Sequence, residues 1–267
     1  MKLDLEVCRT IAIRYGLPLQ FVFKEFHLMD ALSQVATYLS ANSGTGPLVL
    51  KGGTALNKVY LQGTQRFSED ADFDLVSESA TRELLGFSRN LAKGLEGYEI
   101  NGLRKIRSTV QFYCAYETPL GGVDHVRIDI VPKRLLSVRQ PQIKTISSEF
   151  VSASVTGILV YSIDDLTARK MNALAMRAEG KDMYDIHAAL PLCSKEVLKK
   201  AIGLMLKSEG EDQSVTEFLQ KTIARLEKTS SDKQRNLTNP FIPAALRPKN
   251  WEELKNDLLA KLGSLQE

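Results

Sequence analysis

Lys51-Gly-Gly-Thr-Ala-Leu56, followed by Arg66-Phe-Ser-Glu-Asp-Ala-Asp-Phe-Asp-Leu75, decides how the rest of the chain is read. Pro47-Leu-Val-Leu-Lys51 is an apolar run of strand length. After Gly52-Gly53 a helix is expected over about Thr54 to Leu61, closed near Gly63. From Asp70 to Val76 the residues alternate strictly, with Ala71, Phe73 and Leu75 on one face of a strand and Asp70, Asp72 and Asp74 on the other. Carboxylates in a row on one face repel each other, and glycine weakens regular structure. Both choices are unfavourable unless something is bound there.

Alternate residues of a strand lie about 6.6 Å apart and point the same way, so Asp70 and Asp72 can hold carboxylate oxygens around one or two shared cations. Mg²⁺ is the natural candidate, because a few hard oxygen ligands leave coordination sites open for phosphate oxygens. The bland alternative is a solvated acidic face, which the depletion of Asp in strands disfavours. Gly52-Gly53-Thr54 falls between a strand and a helix start, where free N–H groups and the helix dipole favour phosphate. Taken alone it is also an ordinary turn with an ordinary Thr cap, and it lacks the spacing of a P-loop or a Rossmann site. With the acidic strand beside it, the pair points to a nucleotide held with metal ions.

Outward from this centre, Leu5 to Leu39 carries apolar residues near the helical period, broken at Gly16-Leu-Pro18, and Ser43-Gly-Thr-Gly-Pro47 ends the second helix. A helix is expected over roughly Thr81 to Leu95, then strands over Tyr98 to Ile106, Thr109 to Tyr116 and Val126 to Val131, the last stopped by Pro132. From Ser162 the pattern turns helical. Ser162 is a plausible N-cap for a helix running to Gly180, and a second helix covers Lys181 to about Leu190. Further helices are expected around 195–208, 214–227 and 250–262, while Lys228 to Arg235 reads as a polar low-complexity run. The expected fold is therefore α+β and bi-lobed: residues 1–160, including N-terminal helices in 1–45, form a core with a mixed or antiparallel sheet, and 161–267 form a helical lobe.

A chain of 267 residues, 43% hydrophobic, buries a core without staples. Cys8, Cys114 and Cys193 form no metal-binding or disulfide pattern and read as buried thiols in a reducing compartment. No run approaches a membrane span, and MKLDLEVCRT lacks the apolar core of a signal peptide, so a cytoplasmic protein with no membrane partner is expected. A net charge of +3 is too mild to declare a nucleic-acid binder, although Arg104-Lys105-Ile-Arg107, Lys133-Arg134 and Lys195 to Lys200 are local basic patches.

Other charged residues carry secondary readings. Asp129, in Val126-Arg-Ile-Asp-Ile-Val131, is flanked by apolar residues on an expected central strand, where a carboxylate needs a metal or a lysine. Asp124 and Asp74 compete with it for a base role. Lys170 and Arg177 are two helical turns apart and can face one side, enough to neutralise a triphosphate. Asp182 and Asp185 share a face of the next helix, and Asp182 reads as a cap. His27, His125 and His187 have no metal-ligand spacing.

A glycine pair opening a helix and then D-x-D on the next strand resembles the nucleotidyltransferase superfold shared with DNA polymerase β. K-G-G-T-A-L, R-F-S-E-D-A-D-F-D-L, D-L-T-A-R-K-M-N-A-L-A-M-R and K-D-M-Y-D-I, in that order over residues 51–187, are similar to the AbiEii/AbiGii toxin family. The resemblance implies an NTP-using nucleotidyltransferase that is the toxin of a phage-abortive-infection toxin–antitoxin system, with a nucleic-acid acceptor, tRNA 3′ ends first, and a cognate antitoxin. It assigns Gly52, Gly53 and Thr54 to phosphate, Asp70 and Asp72 to metal, Lys170 to the nucleotide, and Asp185 to the acid of the last motif. Arg66, Ser68 and Arg177 join the nucleotide-binding candidates. Asp129 matches a third acid often found on such a strand and is the candidate metal ligand and base. The last motif begins Lys181-Asp182 where the family usually has Arg-Asp, and lysine cannot make an arginine's bidentate contact. Alternative readings are a phosphotransferase acting on a protein or small molecule, and a non-catalytic NTP-binding module. On this reading Asp70→Ala and Lys170→Ala each abolish label transfer and leave the fold intact.

Overall fold

In the computed structural model, which describes residues 3–42, 47–77 and 80–266, the chain divides into two units. One comprises Met1–Leu135 with Pro141–Val160, the other Leu136–Gln140 with Tyr161–Glu267. No change of composition marks the excursion at Leu136–Gln140. Its ties to the second unit are hydrogen bonds: Val138 N–H donates to Asp165 Oδ1 at 2.9 Å, and Arg169 Nη2 to the Leu136 carbonyl at 3.4 Å.

The first unit opens with α1 (Leu5–Tyr15), capped by Asp4 and ended by Gly16 at φ 62°, and α2 (Leu19–Ala41). The loop expected at Ser43 to Pro47 falls, at 43–46, outside the described residues. Then come β1 (Leu48–Lys51), α3 (Gly52–Val59), β2 (Asp70–Val76), α4 (Ala80–Lys93), β3 (Glu99–Ile106), β4 (Thr109–Glu117), β5 (Val123–Lys133), β6 (Gln142–Ile143), β7 (Ile146–Ser148), β8 (Ala153–Val155) and β9 (Leu159–Val160). Seven strands form one mixed sheet in the order β3-β4-β5-β2-β1-β9-β6, and β7 and β8 pair separately. β2 runs parallel to β5 and antiparallel to β1. This α+β fold with a mixed sheet is the one the sequence implied.

The apolar face of the alternating strands is the core of this unit. Ala71, Phe73 and Leu75 are buried with Phe112, Ile128 and Ile130, and α2 and α4 pack on β2 and β5. Each of the larger of these side chains contributes about 1.5–3 kcal/mol by leaving water. β5 continues past Pro132, which sequence reading took as its end. Pairing with β4 stops at Ile130, while Pro132 still sits opposite Leu75 of β2, so the missing N–H deprives no β4 partner.

His27 of α2 is buried, stacked on Tyr116 at 3.6 Å between centroids and edge-on to Tyr98. Burial pushes its pKa down to about 4. The unfolded chain then takes up a proton that the native one refuses, so stability is full above about pH 6.5 and falls as pH drops toward 4, by up to about 3 kcal/mol. Urea midpoints measured between pH 7 and pH 4.5 should show this decline, and His27→Phe should flatten it.

The second unit is helical: α5 (Ile163–Arg177), α6 (Gly180–Ala189), α7 (Lys195–Glu209), α8 (Val215–Glu227), α9 (Ser231–Thr238) and α10 (Trp251–Ser264). Its core is built by Met171, Leu174, Met183, Ile186, Ile202, Phe218, Trp251 and Leu258. Ser162 caps α5 as expected, accepting from Asp165 N–H. The helix does not reach Gly180, however; it closes on Ala178 at φ 51°. Gly180 instead opens α6 against α9, where an added Cβ would overlap Thr238 Oγ1 and stand 3.0 Å from Gln234 Cβ. The same contact explains why Lys228 to Arg235 is not mere linker. Ser230 caps α9, and buried Gln234 accepts the Gly180 N–H at 2.7 Å. No helix among the described residues is long and apolar enough to cross a membrane.

Of the three thiols, Cys8 and Cys114 are buried, while Cys193 is only half-buried, contrary to expectation. Burial raises the Cys114 pKa to about 12 and the Cys193 pKa to about 11, so both stay protonated.

Candidate active site

The glycine pair lies inside the first turn of α3, two residues earlier than the expected start at Thr54. Gly52 has φ 73°, a left-handed conformation open to glycine, and a Cβ there would overlap Asp72 Oδ2. The register explains the closeness: β1 ends at Lys51, which stands directly opposite Asp72 of β2. Behind the turn, an added Cβ on Gly53 would lie 2.7 Å from Arg66 Nη2 and 3.6 Å from Ser68 Oγ. Arg66 and Ser68 are both buried. Asn57 locks this corner, donating to the Gly53 carbonyl at 3.0 Å and accepting the Arg66 N–H at 3.0 Å. Thr54 Oγ1 bonds the Asp70 carbonyl and lies 2.7 Å from Ser68 Oγ, so its hydroxyl ties helix to strand rather than capping the helix. Gly52, Gly53, Thr54, Arg66, Ser68, Asp70 and Asp72 thus form one cluster. Gly52→Ala should destabilise the chain by about 1–2 kcal/mol from the left-handed backbone alone and push Asp72 aside. A lowered melting temperature together with lost activity would show both effects.

The acids on β2 have different surroundings despite their equal spacing. Asp74 is fully buried, with Lys51 Nζ 2.5 Å from Oδ1. Asp70 and Asp72 are partly exposed at the start of the strand. The parallel pairing of β2 with β5 sets Arg127 opposite Asp70 and Asp129 opposite Asp72. Of the three candidates for the third acid, Asp129 is therefore the one beside Asp72. Asp124 is engaged elsewhere, 3.1 Å from Lys24 Nζ and accepting from Tyr116 OH at 3.1 Å. Burial is the main cause raising the Asp70 pKa, to about 6; Arg127 pulls it down, and Asp72, Glu69 and Asp129 add to the rise.

Three residues here escaped sequence reading. Arg127 pairs through Nη2 with Asp70 and through Nε, at 3.4 Å, with Asp129. Gln111 of β4 stands opposite Asp129 and donates to its Oδ1 at 2.9 Å, and Tyr113 OH donates to Gln111 Oε1 at 3.0 Å. The spacing Arg127-Ile-Asp129 was the only available signal, and it acquires meaning only once β5 is known to lie against β2. Among the described residues, no group of three or more His, Cys, Asp or Glu side chains stands converged on a common metal position. The donor set still fits a hard cation. Asp72 and Asp129 present carboxylates from facing positions of neighbouring strands, Asp70 stands two residues before Asp72 on β2, and Gly52 leaves room for Asp72 at the glycine turn.

In the second unit, Lys170 and Arg177 share a helix face, as their spacing implied, and both turn to Asp182. Lys170 Nζ lies 2.7 Å from Asp182 Oδ1 and 3.1 Å from Asp185 Oδ2. Arg177 grips Asp182 with Nε at 2.9 Å and Nη2 at 3.0 Å. Asp182 is therefore no helix cap but the buried anion of an ion network; Glu179 holds the N-cap position of α6. Its burial raises the pKa, but Lys170 and Arg177 outweigh that and hold the carboxyl below its ordinary value. The expectation that Lys170→Ala leaves the fold intact is revised accordingly. Lys181, in place of the usual arginine, sits 4.2 Å from the centroid of the Phe241 ring.

Of the basic patches, Arg104, Lys105 and Arg107 are exposed along and just beyond edge strand β3. Lys133 and Arg134 line a cavity of about 720 Å³ with Val76, Ser77 and Thr81.

Comparison with known proteins follows the same lines. JHP933 from Helicobacter pylori is 18% identical, with a TM-score of 0.57 over 94% of this chain and 93% of that one. MenT4, a nucleotidyltransferase toxin from Mycobacterium tuberculosis, is 16% identical, with a TM-score of 0.58 over the whole of both chains. At such identities the likeness is one of fold. No curated protein sequence matches. The family model of the nucleotidyl transferase AbiEii toxin, type IV toxin–antitoxin system, matches residues 35–265, which takes in both units, and this chain belongs to that family of nucleotidyltransferases.

Proposed function

We propose that the chain transfers a nucleoside monophosphate from an NTP to a nucleic-acid acceptor, first of all the 3′ end of tRNA, and releases pyrophosphate. The observation that carries this reading is the placement of Asp72 against Gly52, which sets a carboxylate beside the helix N-terminus suited to phosphate. The N–H groups of the Gly52–Thr54 turn bind and orient the triphosphate, while Thr54 ties the turn to β2 through the Asp70 carbonyl and Arg66 and Ser68 lie behind it. Asp70, Asp72 and Asp129 would hold divalent cations, Mg²⁺ by their hard-oxygen chemistry, and these would supply charge neutralisation for the phosphoryl transfer. Asp129, oriented by Gln111, takes the proton of the attacking hydroxyl. In the second unit, Lys170 is assigned to nucleotide contact and Asp185 to the acid of the last motif by motif match alone, and Arg177 joins Lys170 by its spacing on the same helix face. The exposed cations of β3 supply sequence-independent contacts to the acceptor's phosphates. In the cell this reading makes the chain a cytoplasmic toxin of phage defence, restrained by a cognate antitoxin.

Incubating the protein with Mg²⁺, total cellular RNA and each NTP in turn, labelled at either the α or the γ phosphate, tests the reading. Label from the α position in RNA of tRNA size is expected. Label transferred only from the γ position would make the chain a phosphotransferase, and nucleotide binding without transfer would make it a binding module.

A further inference from the structure

Arg127 is held in a way that its own stability does not require. Its Nη2 pairs with Asp70 and its Nε approaches Asp129 to 3.4 Å, yet Nε is buried without a hydrogen-bond partner. A buried guanidinium N–H left unsatisfied is unfavourable, and a better-aligned pairing with either carboxylate alone would remove the penalty. The guanidinium instead spans both acids. Asp129 is held through Oδ1 by Gln111, itself tied to Tyr113, while its Oδ2 faces the arginine. The ring of Tyr113 lies along β3 at Gly102, where a Cβ would stand 3.1 Å from Cδ2 in a strand bulge with φ 63°. The arrangement therefore places one positive charge between two carboxylates that a divalent cation would also need.

We propose that Arg127 is the built-in counter-ion of the acidic cluster: its guanidinium bridges Asp70 and Asp129, competes with divalent cations for them, and passes to the triphosphate when cation and nucleotide enter together. The inference rests on the reading that these carboxylates take up divalent cations. Its consequence is coupling. The chain alone binds the metal weakly, and the incoming phosphates offer the displaced guanidinium the bidentate partner it lacks.

Mn²⁺ binding without nucleotide, followed by electron paramagnetic resonance at pH 8, tests this independently of turnover. Arg127→Gln removes a positive charge from beside the carboxylates and is expected to tighten binding about tenfold. Arg127→Lys keeps the charge but cannot span both acids, and is expected to tighten it by a smaller factor; it serves also if the glutamine variant does not fold. Asp72→Asn is expected to weaken binding in every background. Unchanged or weaker binding in both Arg127 variants, with Asp72→Asn still weakening it, would overturn the counter-ion role and leave the metal site standing. Absence of any Asp72-dependent Mn²⁺ binding would overturn both.

Discussion

Asp72→Asn is expected to lower nucleotide transfer by about 10³-fold, the equivalent of about 4 kcal/mol of charge stabilisation, and to leave the melting temperature nearly unchanged. The substitution keeps the volume and removes only the charge. The neighbouring pairs survive it, because Lys51 is matched to Asp74 and Arg127 to Asp70. Initial rates of α-label incorporation at saturating NTP measure the effect. Asp70→Ala should fall as far. Asp74→Ala should behave differently, since Asp74 is fully buried against Lys51: there the expected loss is of stability first. Equal activity in Asp72→Asn and the parent chain would remove Asp72 from the chemistry.

The second large effect is structural. Lys170→Met is expected to destabilise the helical unit by about 3–5 kcal/mol, because it removes a buried cation that pairs with both Asp182 and Asp185. Trp251 is the chain's single tryptophan, lies in this unit and is buried, so its fluorescence during urea unfolding reports this unit directly. Arg177→Ala should cost less, since Arg177 is half-exposed and Lys170 remains on Asp182. Any loss of transfer in Lys170→Ala is therefore to be read beside its unfolding curve. A Lys170→Met chain as stable as its parent would show that the network contributes nothing net to the fold.

The contrast between these two sites shows what the sequence could carry. The glycine turn and the D-x-D strand were legible because both are local: period-two alternation, a strand ending in glycines, and a helix after them. Equal spacing could not separate Asp74 from Asp70 and Asp72, because the difference is made by Lys51 reaching across from β1. Asp182 looked like a cap on local grounds, and lost that role to two cations from the preceding helix. Gln111 and Tyr113 had no local signature at all, and Arg127 had only its spacing from Asp129. Their importance arises from the register of three strands, in which Gln111, Asp129 and Asp72 line up across the sheet. Gly180 was read as a helix end because glycine commonly ends helices, whereas here it lets α6 approach Thr238 and Gln234 of a helix whose polar sequence hid it.

The most direct test is crystallographic. Crystals grown with Mn²⁺ and a non-hydrolysable NTP analogue should show an anomalous peak bound by carboxylate oxygens of Asp70 and Asp72, with the triphosphate on the N–H groups of Gly52 and Gly53. Manganese and triphosphate bound elsewhere, with Asp72 still packed on the glycine turn, would contradict the account.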